Sequence, residues 1–148
     1  MKKKILIING PNLNFLGREE MSVYGKESLA DLTAMIHDWL TQNGWEGRFF
    51  QNNCEGELIN FIQANAEWAD GIVINPAAYS HTSIAIYDCL KSISIPAIEV
   101  HLSDIYHREE FRRTSITGLA CQKVIAGMGA QGYIEALETL KDIFYENR

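Results

Sequence analysis

Five short runs rich in apolar and β-forming residues, at 4–9, 46–51, 71–75, 96–102 and 123–127, alternate with segments of helical periodicity. Runs of that length with little polar alternation suit strands buried on both faces, and such strands belong to a parallel sheet covered by helices. Leu29, Leu32, Ile36 and Leu40 lie on one helical face that begins after Ser28, and Asp31 stands at the capping-box spacing from that serine. Leu58, Ile59, Ile62 and Ala66 form a second stripe, Ser80 precedes a third segment bearing Ile84 and Leu90, and Tyr133, Leu137, Leu140 and Phe144 mark the last. Five β-α units in a single domain over residues 1–148 predict an α/β, flavodoxin-like architecture: a doubly wound five-stranded parallel sheet with helices on both faces. Ligands of such sheets bind beyond the carboxyl ends of the strands.

Composition removes several function classes. The 148 residues, 47% of them hydrophobic, suffice for one complete core. A net charge of -6, with lysines clustered only at Lys2–Lys4, argues against a nucleic-acid surface. The apolar run Ile5–Ile8 is far too short for a membrane span or a signal-peptide core, so no membrane partner is expected and the location expected is cytoplasmic. Cys54, Cys89 and Cys121 show no paired spacing, which suggests neither a disulfide framework nor a zinc site, and they read as buried thiols. GxGxxG and GxxxxGK[ST] are absent, and the glycine cluster "GMGAQGY" is a weak signal for a phosphate cradle.

Residues just past the strands are amides, histidines, hydroxyls and glycines: 9–14, 52–55, 75–81, 101–103 and 127–129. Such a set suits a hydroxylated small molecule. Asn9, Asn12 and Asn14 could serve it or simply stabilise turns through their own backbone. Asn75 and His81 bracket the start of the third helical segment. Glu99 and His101 are two apart on a strand and therefore share a face, where a carboxylate can orient and charge an imidazole for general acid work. Arg108, Arg112 and Arg113 follow closely, as a solvated face, a subunit contact or a guanidinium for an anionic or hydroxylated substrate. Residues 10–25, sixteen in all, are much longer than the two to six residues that usually link a strand to a helix, and long links are commonly functional.

Taken in order, "GPNLNFLG" with "YG" after it, "FFQNNCEGELI", "INPAAYSHTS", "IEVHLSD", "REEFRRTS" and "GMGAQGY" resemble the type II 3-dehydroquinate dehydratases over nearly the whole chain. The resemblance implies conversion of 3-dehydroquinate to 3-dehydroshikimate, a shikimate- or quinate-pathway step, by anti elimination through an enolate without cofactor or metal. It implies Tyr24 as the base that takes the C2 proton and His101, paired with Glu99, as the acid that protonates the departing C1 hydroxyl. Asn12 would hold a water that stabilises the enolate. Asn75, His81 and Arg112 would bind substrate hydroxyls, and Leu102 and Ser103 the carboxylate. Asp88 would reach a neighbouring subunit's site in a homo-oligomer, a dodecamer built from trimers, while residues 10–25 would act as a lid.

Four positions depart from the pattern. Glu19 stands where the family has an arginine that makes the tyrosine acidic, Gln122 and Lys123 replace small residues near the last strand, and Tyr87 replaces an arginine before Asp88. Two readings stay open: an active dehydratase in which Arg18 takes the missing arginine's part, or a catalytically impaired paralogue that binds a related cyclic hydroxy acid.

Overall fold

The computed structural model describes residues 2–146. Its strands are β1 (Lys4–Asn9), β2 (Glu46–Gln51), β3 (Gly71–Asn75), β4 (Ala97–His101) and β5 (Lys123–Ala126). All neighbours pair in parallel, in the order β2-β1-β3-β4-β5. Among the described residues four α-helices, α1 (Leu29–Gln42), α2 (Glu55–Asn65), α3 (Ile84–Lys91) and α4 (Gln131–Glu146), cover the sheet. Among the described residues, no helix is long and apolar enough to cross a membrane.

Strand alternation sends side chains into two cores. Ile5, Ile7, Val73, Ile98 and Val100 pack with Leu32, Ile36 and Leu40 of α1 and with Leu137 and Leu140 of α4. Leu6, Ile8, Ile72 and Ile74 pack on the opposite face with Leu58 and Ile62 of α2 and with Ile86 and Leu90 of α3. Each such buried aliphatic side chain contributes about 1.5–3 kcal/mol, which is why both faces of the sheet need helices. The α1 cap forms as its spacing indicates: the Asp31 N–H donates to Ser28 Oγ (3.1 Å), and the Ser28 N–H donates to the Asp31 carboxylate (3.0 Å). The Ser28 backbone bond, more than the hydroxyl, holds the Asp31 carboxyl below its ordinary range.

Two elements differ from the sequence reading. The third helix starts at Ile84 with Ser83 as its cap, whose hydroxyl accepts the Ile86 N–H at 2.9 Å; Ser80 instead lies buried in a separate 3₁₀ turn, Ala77–His81. Among the described residues only four of the five expected β-α units carry an α-helix, because β4 and β5 are joined by three 3₁₀ turns, Ile105–His107, Glu110–Arg112 and Thr117–Ala120. "HREEFRRTS" carries no apolar stripe to hold an α-helix on the sheet, so its chain is free to fold over the strand ends. Residues 10–25 also carry local structure, two 3₁₀ turns at Leu13–Phe15 and Glu19–Tyr24, pinned by buried Leu13 and Leu16.

Candidate active site

Strand order reverses between β1 and β3, and a crevice opens at their carboxyl ends. Here the chain approaches itself closely. The Gly10 N–H donates to the Asn75 carbonyl at 2.8 Å, and a Cβ on Gly10 would stand 2.5 Å from the Pro76 carbonyl oxygen, so only glycine fits. The crevice is a cleft of about 220 Å³. It gathers Asn12, Tyr24, Asn75, His81, His101, Leu102 and Ser103 from among the residues selected by sequence, together with Arg108 and Arg112 of the three candidate arginines. Glu99, Arg18 and Asp88 do not line it.

Glu99 stands directly behind the cleft. Its carboxylate is fully buried and binds His101 Nε2 at 2.7 Å. Ser115 Oγ and Thr117 Oγ1, from the segment joining β4 to β5, each donate to a Glu99 oxygen. Three hydrogen bonds thus converge on one buried carboxylate. That arrangement fixes the His101 ring and leaves Nδ1 for chemistry in the cleft. The His81 ring lies nearly parallel to it with centroids 6.2 Å apart, and His81 Nδ1 is bonded to the Thr114 carbonyl at 2.8 Å. Ser115 and Thr117 escaped the sequence reading because their partner is sixteen or more positions away.

Tyr24 ends the second 3₁₀ turn of the 10–25 segment. Its hydroxyl accepts a hydrogen bond from the Arg108 guanidinium at 2.9 Å. Arg108 also donates to Ser103 Oγ (3.3 Å) and pairs with Glu109 (3.5 Å). Glu109 lies below its ordinary carboxyl range, first through its own backbone N–H and then through Arg112 and Arg108. Arg18 does not fill the place expected of it. Its side chain is exposed and its guanidinium lies over the Phe15 ring, 3.9 Å from the centroid, so a cation–π contact three residues back holds it away from Tyr24. Arg108 was visible in the sequence only as one of three arginines; the reversal of the chain after β4 selects it.

Asn12 sits at the rim with φ 71°, in the left-handed region that asparagine tolerates, and its N–H donates to Asn53 Oδ1 at 3.0 Å. Arg112 lines the cleft with its Nε on Glu109 at 3.3 Å. Asp88 is exposed on α3, outside the cleft of its own chain. The two glycine amides of "GMG" are already engaged, Gly127 N–H with the His101 and Ser103 carbonyls and Gly129 N–H with that of Leu102, so they brace the 101–103 turn rather than cradle a phosphate. Cys54 is exposed, contrary to expectation, whereas Cys89 is buried and Cys121 half-buried. Burial, reinforced by the Glu99 carboxylate, pushes the Cys121 thiol well up.

A doubly wound sheet without a nucleotide fingerprint, with a tyrosine–arginine pair and a carboxylate-held histidine in one cleft, defines an α/β protein equipped for acid–base work on a small polar molecule. The sequence profile of the family described as Dehydroquinase class II matches residues 3–141. A 3-dehydroquinate dehydratase of Clostridium acetobutylicum is 52% identical over 140 residues, covering 95% of this chain and 97% of the relative, and one from Bartonella henselae is 48% identical over all of both. The crystal structure of the type II dehydroquinase from Butyrivibrio crossotus superposes with a TM-score of 0.91 at 48% identity, over 94% of this chain and 97% of that one. The chain belongs to the type II dehydroquinase family.

Proposed function

We propose that the protein dehydrates 3-dehydroquinate to 3-dehydroshikimate, a shikimate-pathway step, by anti elimination. Full-length identity of about half to proteins named for that activity supports the reaction. The observation that carries the mechanism is the Tyr24 hydroxyl held at 2.9 Å by Arg108 in the same cleft as the Glu99-bound His101. Tyr24, as phenolate, takes the C2 proton; the electron pair moves toward the ketone, giving an enolate. Collapse of the enolate expels the C1 oxygen, which takes a proton from His101 and leaves as water. Glu99 stabilises the charged imidazole while it waits. Asn12 holds a water against the enolate oxygen, Asn75, His81 and Arg112 take substrate hydroxyls, and Leu102 and Ser103 take the carboxylate. Residues 10–25 close as a lid that carries the base.

In this reading Arg108 supplies the positive charge at the tyrosine, so Glu19 does not by itself imply a crippled site. We further propose a cytoplasmic homo-oligomer, a dodecamer of four trimers, in which Asp88 reaches a neighbour's cleft. Purified protein mixed with 3-dehydroquinate tests the reaction: the ultraviolet absorbance of the conjugated enone product should rise. Analogue binding without that rise would leave the impaired-paralogue reading in its place.

A further inference from the structure

Asn9 and Asn75 are register partners on β1 and β3, the two strands flanking the crevice, and both side chains are almost wholly buried. The hydroxyl of Tyr133, a fully buried residue in the first turn of α4, lies between them. It donates to Asn9 Oδ1 at 2.6 Å and accepts from Asn75 Nδ2 at 3.0 Å. Asn75 Oδ1 accepts the N–H of Ala77 at 3.0 Å, where the backbone turns through φ 53°.

Proton accounting makes this chain directional. A tyrosine hydroxyl has one proton, and here Asn9 takes it, so the oxygen can only accept from Asn75. Burial drives the Tyr133 hydroxyl far up from its usual titration range, which keeps that proton in place at any working pH. With Nδ2 turned to Tyr133 and Oδ1 anchored on Ala77, the Asn75 amide has one orientation, and its second Nδ2 proton remains as a donor for the cleft that it lines. We infer that Tyr133 is a positioning residue for substrate recognition: through Asn9 it sets the polarity of the Asn75 amide, so that Asn75 presents an N–H to an acceptor oxygen of a substrate hydroxyl. The inference rests on the proposed assignment of Asn75 to substrate binding. Tyr133 is otherwise indistinguishable in sequence from a core residue of the α4 stripe.

Tyr133→Phe keeps the ring and removes only the hydroxyl. The expected result is a KM for 3-dehydroquinate raised about tenfold with kcat within threefold, because a contact equal in ground and transition states changes binding alone. On an Asn75→Ala background the same substitution should add less than twofold, since the residue through which it acts is gone. Asn9→Ala, which deprives the hydroxyl of its acceptor without touching Tyr133, should also raise KM, and it serves if Tyr133→Phe folds poorly. A folded Tyr133→Phe with KM within twofold of wild type, or an undiminished effect on the Asn75→Ala background, would overturn the inference. Calorimetric Kd values for 3-dehydroquinate are measured beside the kinetics. Wild-type protein that binds without turnover would sink the proposed reaction and leave the positioning test intact, read from the ratios of Kd.

Discussion

Replacing Arg108 with alanine removes the one guanidinium bonded to the Tyr24 hydroxyl among the described residues, a contact of 2.9 Å. A phenolate and a guanidinium with charge centres about 4 Å apart interact by roughly 4 kcal/mol at an effective dielectric near 20. The Glu109 carboxylate, 3.5 Å from Arg108, offsets part of that. Mutational values for hydrogen bonds to charged groups, about 1.5–3 kcal/mol, set the more realistic scale. A loss of about 2–3 kcal/mol corresponds to a roughly 30- to 150-fold fall in kcat. The contact to Ser103 Oγ, 3.3 Å, adds a smaller rise in KM if Ser103 holds the substrate carboxylate. Arg18→Ala, which loses only an exposed stack on Phe15, should alter kcat less than twofold. Initial rates from the enone absorbance across a range of 3-dehydroquinate concentrations separate kcat from KM. Arg108→Ala retaining a third of wild-type kcat, or Arg18→Ala losing more than tenfold, would refute the reasoning.

Thr117→Val leaves one oxygen of the fully buried Glu99 carboxylate without its hydroxyl donor, and should lower stability by about 1–3 kcal/mol in urea unfolding, with Thr117→Ser restoring it. Borohydride added with substrate should leave activity intact, because among the described residues no lysine lines the cleft; substrate-dependent inactivation, with a reduced adduct seen by mass spectrometry, would oppose the mechanism. Ser28→Ala should lower Tm at neutral pH by roughly 2–4 °C, the usual effect of one lost N-cap in a chain of this size. Asp31 is held below its unfolded value chiefly by the residue-28 N–H, which alanine keeps, so the carboxylate's contribution is complete above about pH 4 and is lost in both proteins as pH falls through the folded value; only the smaller hydroxyl share of the Tm difference should fade in acid.

Local rules carried the fold a long way. The apolar strands, the Ser28–Asp31 cap and the α1 and α4 stripes are each decided by residues within one turn or strand of one another, and the structure forms them where that pattern puts them. The start of α3 misled because Ser80 and Ser83 are both competent caps, and only tertiary packing, which buries Ser80, separates them. At the site, Glu99 with His101 could be read from strand alternation. The partners that hold them could not: Arg108 is 84 positions from Tyr24, Tyr133 is 58 from Asn75, and Thr117 is 18 from Glu99. Arg18 was the nearer guanidinium in sequence, but proximity along the chain also placed Phe15 beside it, and the ring took the cation.

The central claim is a division of labour, Tyr24 as base and His101 as acid. It is tested most directly by following the C2 proton of 3-dehydroquinate in deuterated water by NMR with the two variants side by side. His101→Ala keeps the base, so it should still exchange the C2 proton for deuterium while forming almost no enone. Tyr24→Phe should do neither, with turnover lowered by about the 10²–10⁴-fold typical of a lost acid–base group. Exchange that survives Tyr24→Phe and disappears in His101→Ala would assign the base to the histidine and contradict the account.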